Sequence, residues 1–140
     1  MQIPYQLRHV VIVDDEPDLL TMIEDYLEDI GIPQVACFTS AQDAYNYCVK
    51  QIGGRSMPSV IVSDLSMPKM NGIEFLEKLK KNDFLKEVPF ILITAYGEEV
   101  KVREAIKAGA RDVLTKPFEL SFLFERLCAQ FQAKSTSSKR

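Results

Sequence analysis

Asp64 ends the apolar run Val60-Ile61-Val62-Ser63 and is followed at once by Leu65-Ser66-Met67-Pro68. A run of that length reads as a buried strand and the Met-Pro step as a turn, which sets one carboxylate at a strand mouth. The same layout occurs earlier, where the β-branched run His9 to Val13 stops in Asp14, Asp15 and Glu16. Two further apolar runs end in polar groups: Pro89 to Thr94 in a hydroxyl, and Asp112 to Thr115 in Lys116-Pro117. Three close carboxylates repel one another and raise one another's pKa unless a cation sits among them. Oxygen ligands without His or Cys select a hard ion, and a few carboxylates completed by water suit Mg²⁺ better than a full Ca²⁺ cage. With the charge neutralised, one carboxylate can attack phosphorus, while a Thr94 hydroxyl and a Lys116 ammonium complement the phosphoryl group it then carries. Asp14, Asp15, Asp64, Thr94 and Lys116 therefore have the makings of an acyl-phosphate site. Taken singly, each has an ordinary alternative: acids favoured at a helix start, a turn hydroxyl, a solvated amine.

The elements between these residues decide whether they can meet. Pro17 suits the first turn of a helix, and Leu19, Ile23, Leu27 and Ile30 follow at helical spacing until Gly31 and Pro33. Val35 to Phe38 reads as a short strand, and Ser40 with Asp43 as a capping box opening a helix to about Gln51. Gly53, Gly54 and Pro58 close that unit. Asn71-Gly72 reads as a turn before a third helix marked by Ile73, Leu76 and Leu79. A weakly amphipathic helix covers about Glu98 to Ala108 and stops at Gly109. The last helix, about Leu120 to Gln132, carries Leu120, Leu123, Phe124, Leu127, Cys128 and Phe131 on one stripe, with Phe122 off it.

Strand and helix alternating five times imply an α/β domain: a doubly wound five-stranded parallel sheet in a (βα)5 flavodoxin-like three-layer sandwich. Parallel strands all point one way, so the residues that end strands one, three, four and five collect at one edge of the sheet, where ligands of such folds bind. His9 begins the first strand and reads as structural.

The chain has 140 residues, of which 46% are hydrophobic, enough for one core. The domain spans 9–132, with a lead-in at 1–8 and a Ser- and Lys-rich stretch at 133–140 that has nothing to bury and reads as a disordered tail or truncated linker. Seventeen basic against twenty acidic residues, net −3, with no basic run interleaved with aromatics, disfavour direct nucleic-acid binding. Cys37, Cys48 and Cys128 are odd in number and lack metal-ligand spacing, as expected of buried free thiols in a reducing cytoplasm. No apolar run nears the roughly 20 residues of a membrane helix, and no signal-peptide layout is present. A soluble, cytoplasmic protein is expected.

With these motifs in this order, the chain from about His9 to Phe131 resembles a response-regulator receiver domain of two-component signalling. The resemblance rests on Asp14-Asp15 after the first strand, the D-x-x-M-P-x-M-x-G segment from Asp64 to Gly72, Thr94-Ala95 after the fourth strand, and Lys116-Pro117-Phe118 after the fifth. It implies that Asp64 accepts a phosphoryl group from the phosphohistidine of a sensor histidine kinase or phosphotransfer protein. It also implies that Asp15, Asp64 and the Ser66 backbone carbonyl bind Mg²⁺, with Asp14 assisting through water. Thr94 and Lys116 would hold the phosphoryl oxygens, and Lys116-Pro117 is expected to be cis and to aim the lysine inward.

One position departs from the family pattern. Three residues before the lysine the family usually has Tyr or Phe, and here stands Val113. A valine cannot swing a ring between solvent and core, so a conformational output would rest on Thr94, the loop after it and helix four, with Tyr96 as a substitute reporter. Ser66 and Tyr96 stand two residues beyond Asp64 and Thr94, where the family's hydrolysing water passes, and a bulky Tyr96 would lengthen the life of the acyl phosphate. The face made of helix four, strand five and helix five is the family's usual surface for an effector or a dimer partner, and Phe122 fits such a contact.

Two rivals stand beside this reading. A Mg²⁺-dependent phosphatase working through an aspartyl phosphate usually needs a second acid two residues after the nucleophile, and Ser66 occupies that place. A receiver-like interaction module that is never phosphorylated typically lacks one of the acids or the lysine, and here all are present.

Overall fold

The computed structural model describes residues 2–132, so the tail expected at 133–140 lies outside the described residues. Five strands form one sheet: β1 (His9–Val13), β2 (Gln34–Phe38), β3 (Val60–Asp64), β4 (Phe90–Ala95) and β5 (Asp112–Lys116). Each is followed by a helix: α1 (Pro17–Asp29), α2 (Ala41–Lys50), α3 (Gly72–Lys80), α4 (Glu99–Ala108) and α5 (Leu120–Ala129). The strand order is β2-β1-β3-β4-β5 and every pairing is parallel. The fold is the five-stranded flavodoxin-like sandwich that the alternation of elements implies.

Side chains alternate across a strand, and both faces of this sheet are covered, which is why β1 and β3 are buried without a break and apolar apart from His9, Ser63 and Asp64. One face sends Val10, Ile12, Val60, Val62, Ile91, Ile93 and Leu114 against Leu20, Ile23 and Leu27 of α1 and Leu123, Phe124 and Leu127 of α5. The other sends Val11, Val13, Ile61, Phe90 and Leu92 against α2, α3 and α4, with Phe75 and Phe90 in edge contact. Of the lead-in, Leu7 is buried and Ile3 packs on the α1/α5 side. The strand order turns back on itself between β1 and β3, and such a reversal opens a crevice at the carboxyl ends of those strands. Asp14 and Asp64 end them.

Some boundaries differ from the sequence expectation. β2 gains Gln34, β4 runs one residue further to Ala95 and β5 takes in Lys116, because ladder bonds with a neighbouring strand continue past the apolar run. α5 ends at Ala129 rather than near Gln132, although Phe131 still packs on the core. Asn71-Gly72 is not a turn but the start of α3. Asn71 Oδ1 accepts from the Glu74 N–H at 2.8 Å, and Glu74 Oε1 accepts from the Asn71 N–H at 2.9 Å, a complete capping box. At α2 only half of one forms, Ser40 Oγ accepting from the Asp43 N–H at 3.2 Å.

Candidate functional site

β1 delivers Asp14 into the crevice. The Asp14 N–H bonds the Phe38 carbonyl at 3.1 Å, which extends the β1/β2 edge by one residue and buries the side chain completely. Asp14 Oδ1 accepts from the Glu16 N–H at 2.9 Å. Asp14 Oδ2 is buried and accepts no hydrogen bond of good geometry, although Lys116 Nζ stands 3.0 Å away as an ion-pair partner.

β3 delivers Asp64, 6% exposed. The chain then turns sharply: the Leu65 N–H bonds the Ile93 carbonyl at 2.7 Å, and the Gly72 N–H returns to the Leu65 carbonyl at 2.8 Å. Within that loop Lys69 has φ 70°, left-handed and strained for a side-chain-bearing residue. Gly72 has to be glycine for space, because a Cβ there would run into the Asp64 carbonyl and lie 3.0 Å from Leu65 Cα.

Asp14, Asp15 and Asp64 each place a carboxylate oxygen within 4.8 Å of the others. Burial pushes the Asp64 carboxyl up to about 6, and the charges of Asp14 and Asp15 add to the rise while Lys116 opposes it. Lys116, at the end of β5, stands 3.0 Å from Asp14, 3.4 Å from Glu16 and 3.6 Å from Asp64. Burial works against its charge, but the three carboxylates outweigh that and raise its pKa. The Lys116-Pro117 peptide is cis.

Thr94 is buried near the end of β4, where it pairs with Thr115 beside the Asp64 to Ile93 pairing. Its hydroxyl donates to the Ala95 carbonyl at 3.3 Å. Ser66 is exposed and lines a cavity of about 460 Å³ with Asp15, Asn71, Glu98 and Lys101. A larger cavity of about 870 Å³ lies between the lead-in and α5, away from these groups.

The donor set suits a hard divalent ion. Three carboxylates, two of them buried, face one another with a single lysine, and one buried oxygen has no hydrogen bond. Asp14, Asp15 and Asp64 would hold the ion, and the cavity shared by Asp15 and Ser66 leaves room for further oxygen ligands.

The sequence names Asp14, Asp15, Asp64 and Lys116 as neighbours, and they are. Thr94 stands at the same edge with its hydroxyl turned to its own chain. His9 lies at the other end of β1, buried, with Nδ1 2.7 Å from the Ser56 carbonyl and Nε2 2.7 Å from the Tyr47 hydroxyl. Cys48 and Cys128 are buried and Cys37 half-buried, all free, and burial pushes Cys37 and Cys48 up to about 12. Two residues go unassigned in the sequence: Glu16, which reaches Lys116, and Gly72, which lets the loop close under Asp64. The Asp-Asp-Glu run and the Asn-Gly pair were the signals available.

Comparison with known proteins agrees with this geometry. Residues 10–128 match the response regulator receiver domain family. The chain is 32% identical over 124 residues to the probable chemotaxis protein CheY of Rhizobium etli, covering 89% of this chain and 92% of that protein. It is 32% identical over 120 residues to the chemotaxis protein CheY of Thermotoga maritima, covering 86% and 94%. Among solved structures, chemotaxis protein CheY4 of Vibrio cholerae superposes with a TM-score of 0.77 at 28% identity, over 86% of this chain and 96% of that one. An acid pair after β1, an aspartate ending β3 and a lysine ending β5 thus meet on a family match across most of the chain, which belongs to the response regulator receiver domains of two-component systems.

Proposed function

We propose that the chain is a phosphoacceptor switch in which Asp64 takes a phosphoryl group from the phosphohistidine of a sensor histidine kinase or phosphotransfer protein in the cytoplasm. An Asp64 oxygen attacks phosphorus as the phosphorus–nitrogen bond breaks, and the departing imidazole keeps the bonding pair and takes up a proton from water. Bound Mg²⁺ supplies charge neutralisation for the carboxylates and the phosphoryl oxygens. Asp14, Asp15, Asp64 and the Ser66 carbonyl would hold it. Lys116 gives the transferred group a point charge and Thr94 gives it a hydroxyl donor. The chain turns over no separate substrate. The observation that carries the reading is the convergence of Asp14, Asp15 and Asp64 within 4.8 Å beside Lys116.

The output runs through the loop after β4. A Thr94 hydroxyl drawn to the phosphoryl group releases the Ala95 carbonyl, and a cavity of about 340 Å³ lined by Thr94, Tyr96, Val102, Val113 and Thr115 leaves the loop space to move. Only Ala105 of α4 is fully buried, so little packing resists displacement of that helix. Tyr96, Val100 and Phe122 are exposed around α4 and α5 and meet an effector or a second copy. Incubation with acetyl phosphate and Mg²⁺, followed by intact-protein mass spectrometry, should add one phosphoryl mass to the wild type and none to Asp64→Ala. A wild type that gains no mass overturns the reading.

A further inference from the structure

Glu16 sits at the N-cap of α1, where a side chain ordinarily accepts a hydrogen bond from the first turn. It makes no such bond. Its carboxylate instead reaches across the crevice to Lys116 Nζ at 3.4 Å, a contact between residues 100 positions apart. Its backbone N–H meanwhile donates to Asp14 Oδ1 at 2.9 Å, and Asp14 Oδ2 stands 3.0 Å from the same ammonium. Asp14, Glu16 and Lys116 therefore form a closed ring, in which Glu16 is tied at its backbone to one member and at its side chain to the other.

A lysine ammonium has three N–H donors, and three carboxylates surround this one, with Asp64 the farthest at 3.6 Å. Neutralising Asp14 with a cation loosens only one of the two nearer ties, because Glu16 lies outside the acid triad that would hold the ion. From this ring we infer that Glu16 is a positioning residue that competes with Asp64 for Lys116, so that the lysine has to leave Glu16 before it can serve a phosphoryl group fully. The inference rests on the phosphoacceptor reading above and adds a brake to it.

Two substitutions separate contact from charge. Glu16→Gln removes the charge, whereas Glu16→Asp keeps it but draws it back by one bond of about 1.5 Å, out of ion-pair range of Lys116. Asp at an N-cap is also favourable for the helix, so Glu16→Asp does not weaken α1. Asp18→Asn, an exposed change of the same charge in the first turn, is the control. With acetyl phosphate at saturating Mg²⁺, both Glu16 variants should label roughly two- to fivefold faster than wild type, the scale of one partly exposed ion pair, and Asp18→Asn should match wild type. Both should also bind beryllofluoride more tightly by a similar factor, and both should shift the Lys116 ammonium resonance in the metal-free protein. If Glu16→Asp behaves as wild type while Glu16→Gln is faster, the effect is repulsion of the donor and the positioning role is overturned. It is also overturned if both variants match wild type or label more slowly. A wild type that takes no phosphoryl group overturns the phosphoacceptor reading and the brake together, which a modified wild type with unaffected variants does not.

Discussion

Lys116 holds its ammonium nitrogen 3.0 Å from Asp14 Oδ2, closer than its 3.6 Å approach to Asp64. At Asp64 burial, joined by the charges of Asp14 and Asp15, outweighs what Lys116 gives back, and the carboxyl stands up at about 6 against an ordinary 3.8. A carboxyl raised in the folded state favours folding while it is protonated. That contribution is fully present below about pH 3.8 and is lost as pH rises through 6. Metal-free protein at pH 7 therefore carries a penalty of up to about 3 kcal/mol from Asp64. Asp64→Asn should melt several degrees higher than wild type in EDTA at pH 7, and the gap should close below pH 4. An equal gap at both pH values would mean that Asp64 ionisation is not its source.

The same charge makes metal binding depend on pH. A proton on Asp64 competes with the ion, so Mg²⁺ affinity should be level above about pH 7 and fall close to tenfold per unit below pH 6. Calorimetric titration at pH 5, 6, 7 and 8 reads this directly. Asp15→Asn should weaken binding at every pH, because it removes one of the three carboxylates that would hold the ion.

Gly72 fixes the loop that follows Asp64. An Ala methyl there would press on the Asp64 carbonyl, on Leu65 Cα and on Leu92 Cδ1, two of which are backbone atoms that cannot swing aside. Gly72→Ala should cost about 1–3 kcal/mol of stability, the usual penalty of overpacking, and should slow acetyl phosphate labelling. A variant with lowered stability and wild-type labelling would separate the loop's structural role from the placing of Asp64.

At the other end of β1, His9 and Tyr47 test the support of the sheet. The Ser56 carbonyl can only accept, so His9 Nδ1 carries the proton and Nε2 accepts from the Tyr47 hydroxyl. Burial lowers the His9 pKa below its usual 6.5, with the Ser56 bond opposing. That contribution to stability is present above pH 6.5 and is lost as pH falls through the lowered value. Tyr47→Phe leaves a buried ring nitrogen without a donor and should cost about 1–3 kcal/mol. Urea unfolding at pH 7.5 should show a lower midpoint at unchanged slope.

Much of this molecule can be read from its sequence because both faces of a parallel sheet are buried. Val10 to Val13 and Val60 to Val62 are unbroken apolar runs, and each leads straight into the acids of the candidate site. Strand ends are less legible, since Ala95 and Lys116 are placed by pairing with each other rather than by hydropathy. Asn71-Gly72 misleads for a related reason: the pair is a turn signal taken alone and a helix cap once Glu74 is counted. The reach of Glu16 to Lys116 and the turn of the Thr94 hydroxyl towards Ala95 depend on side-chain rotamers set by packing, and no spacing rule reports those.

With Val113 three residues before Lys116, the proposed output falls to the loop and helix that follow Thr94. Val113 is half-buried beside a cavity of about 340 Å³, Tyr96 lies 90% exposed at its rim, and α4 keeps one fully buried residue. Adding beryllofluoride and Mg²⁺ should therefore move the amide resonances of residues 95–108 well beyond those of α2, which is held by Ala41, Ala44 and Cys48. Resonances of α4 that stay in place would sink this route. Tyr96 lies two residues beyond Thr94 and lines the same cavity, and on the proposed reading its bulky ring would exclude attacking water from the acyl phosphate. Tyr96→Ala should lose its phosphoryl group several-fold faster than wild type, and slower loss in the variant would remove the shielding role while leaving the movement of α4 to be judged on the resonances.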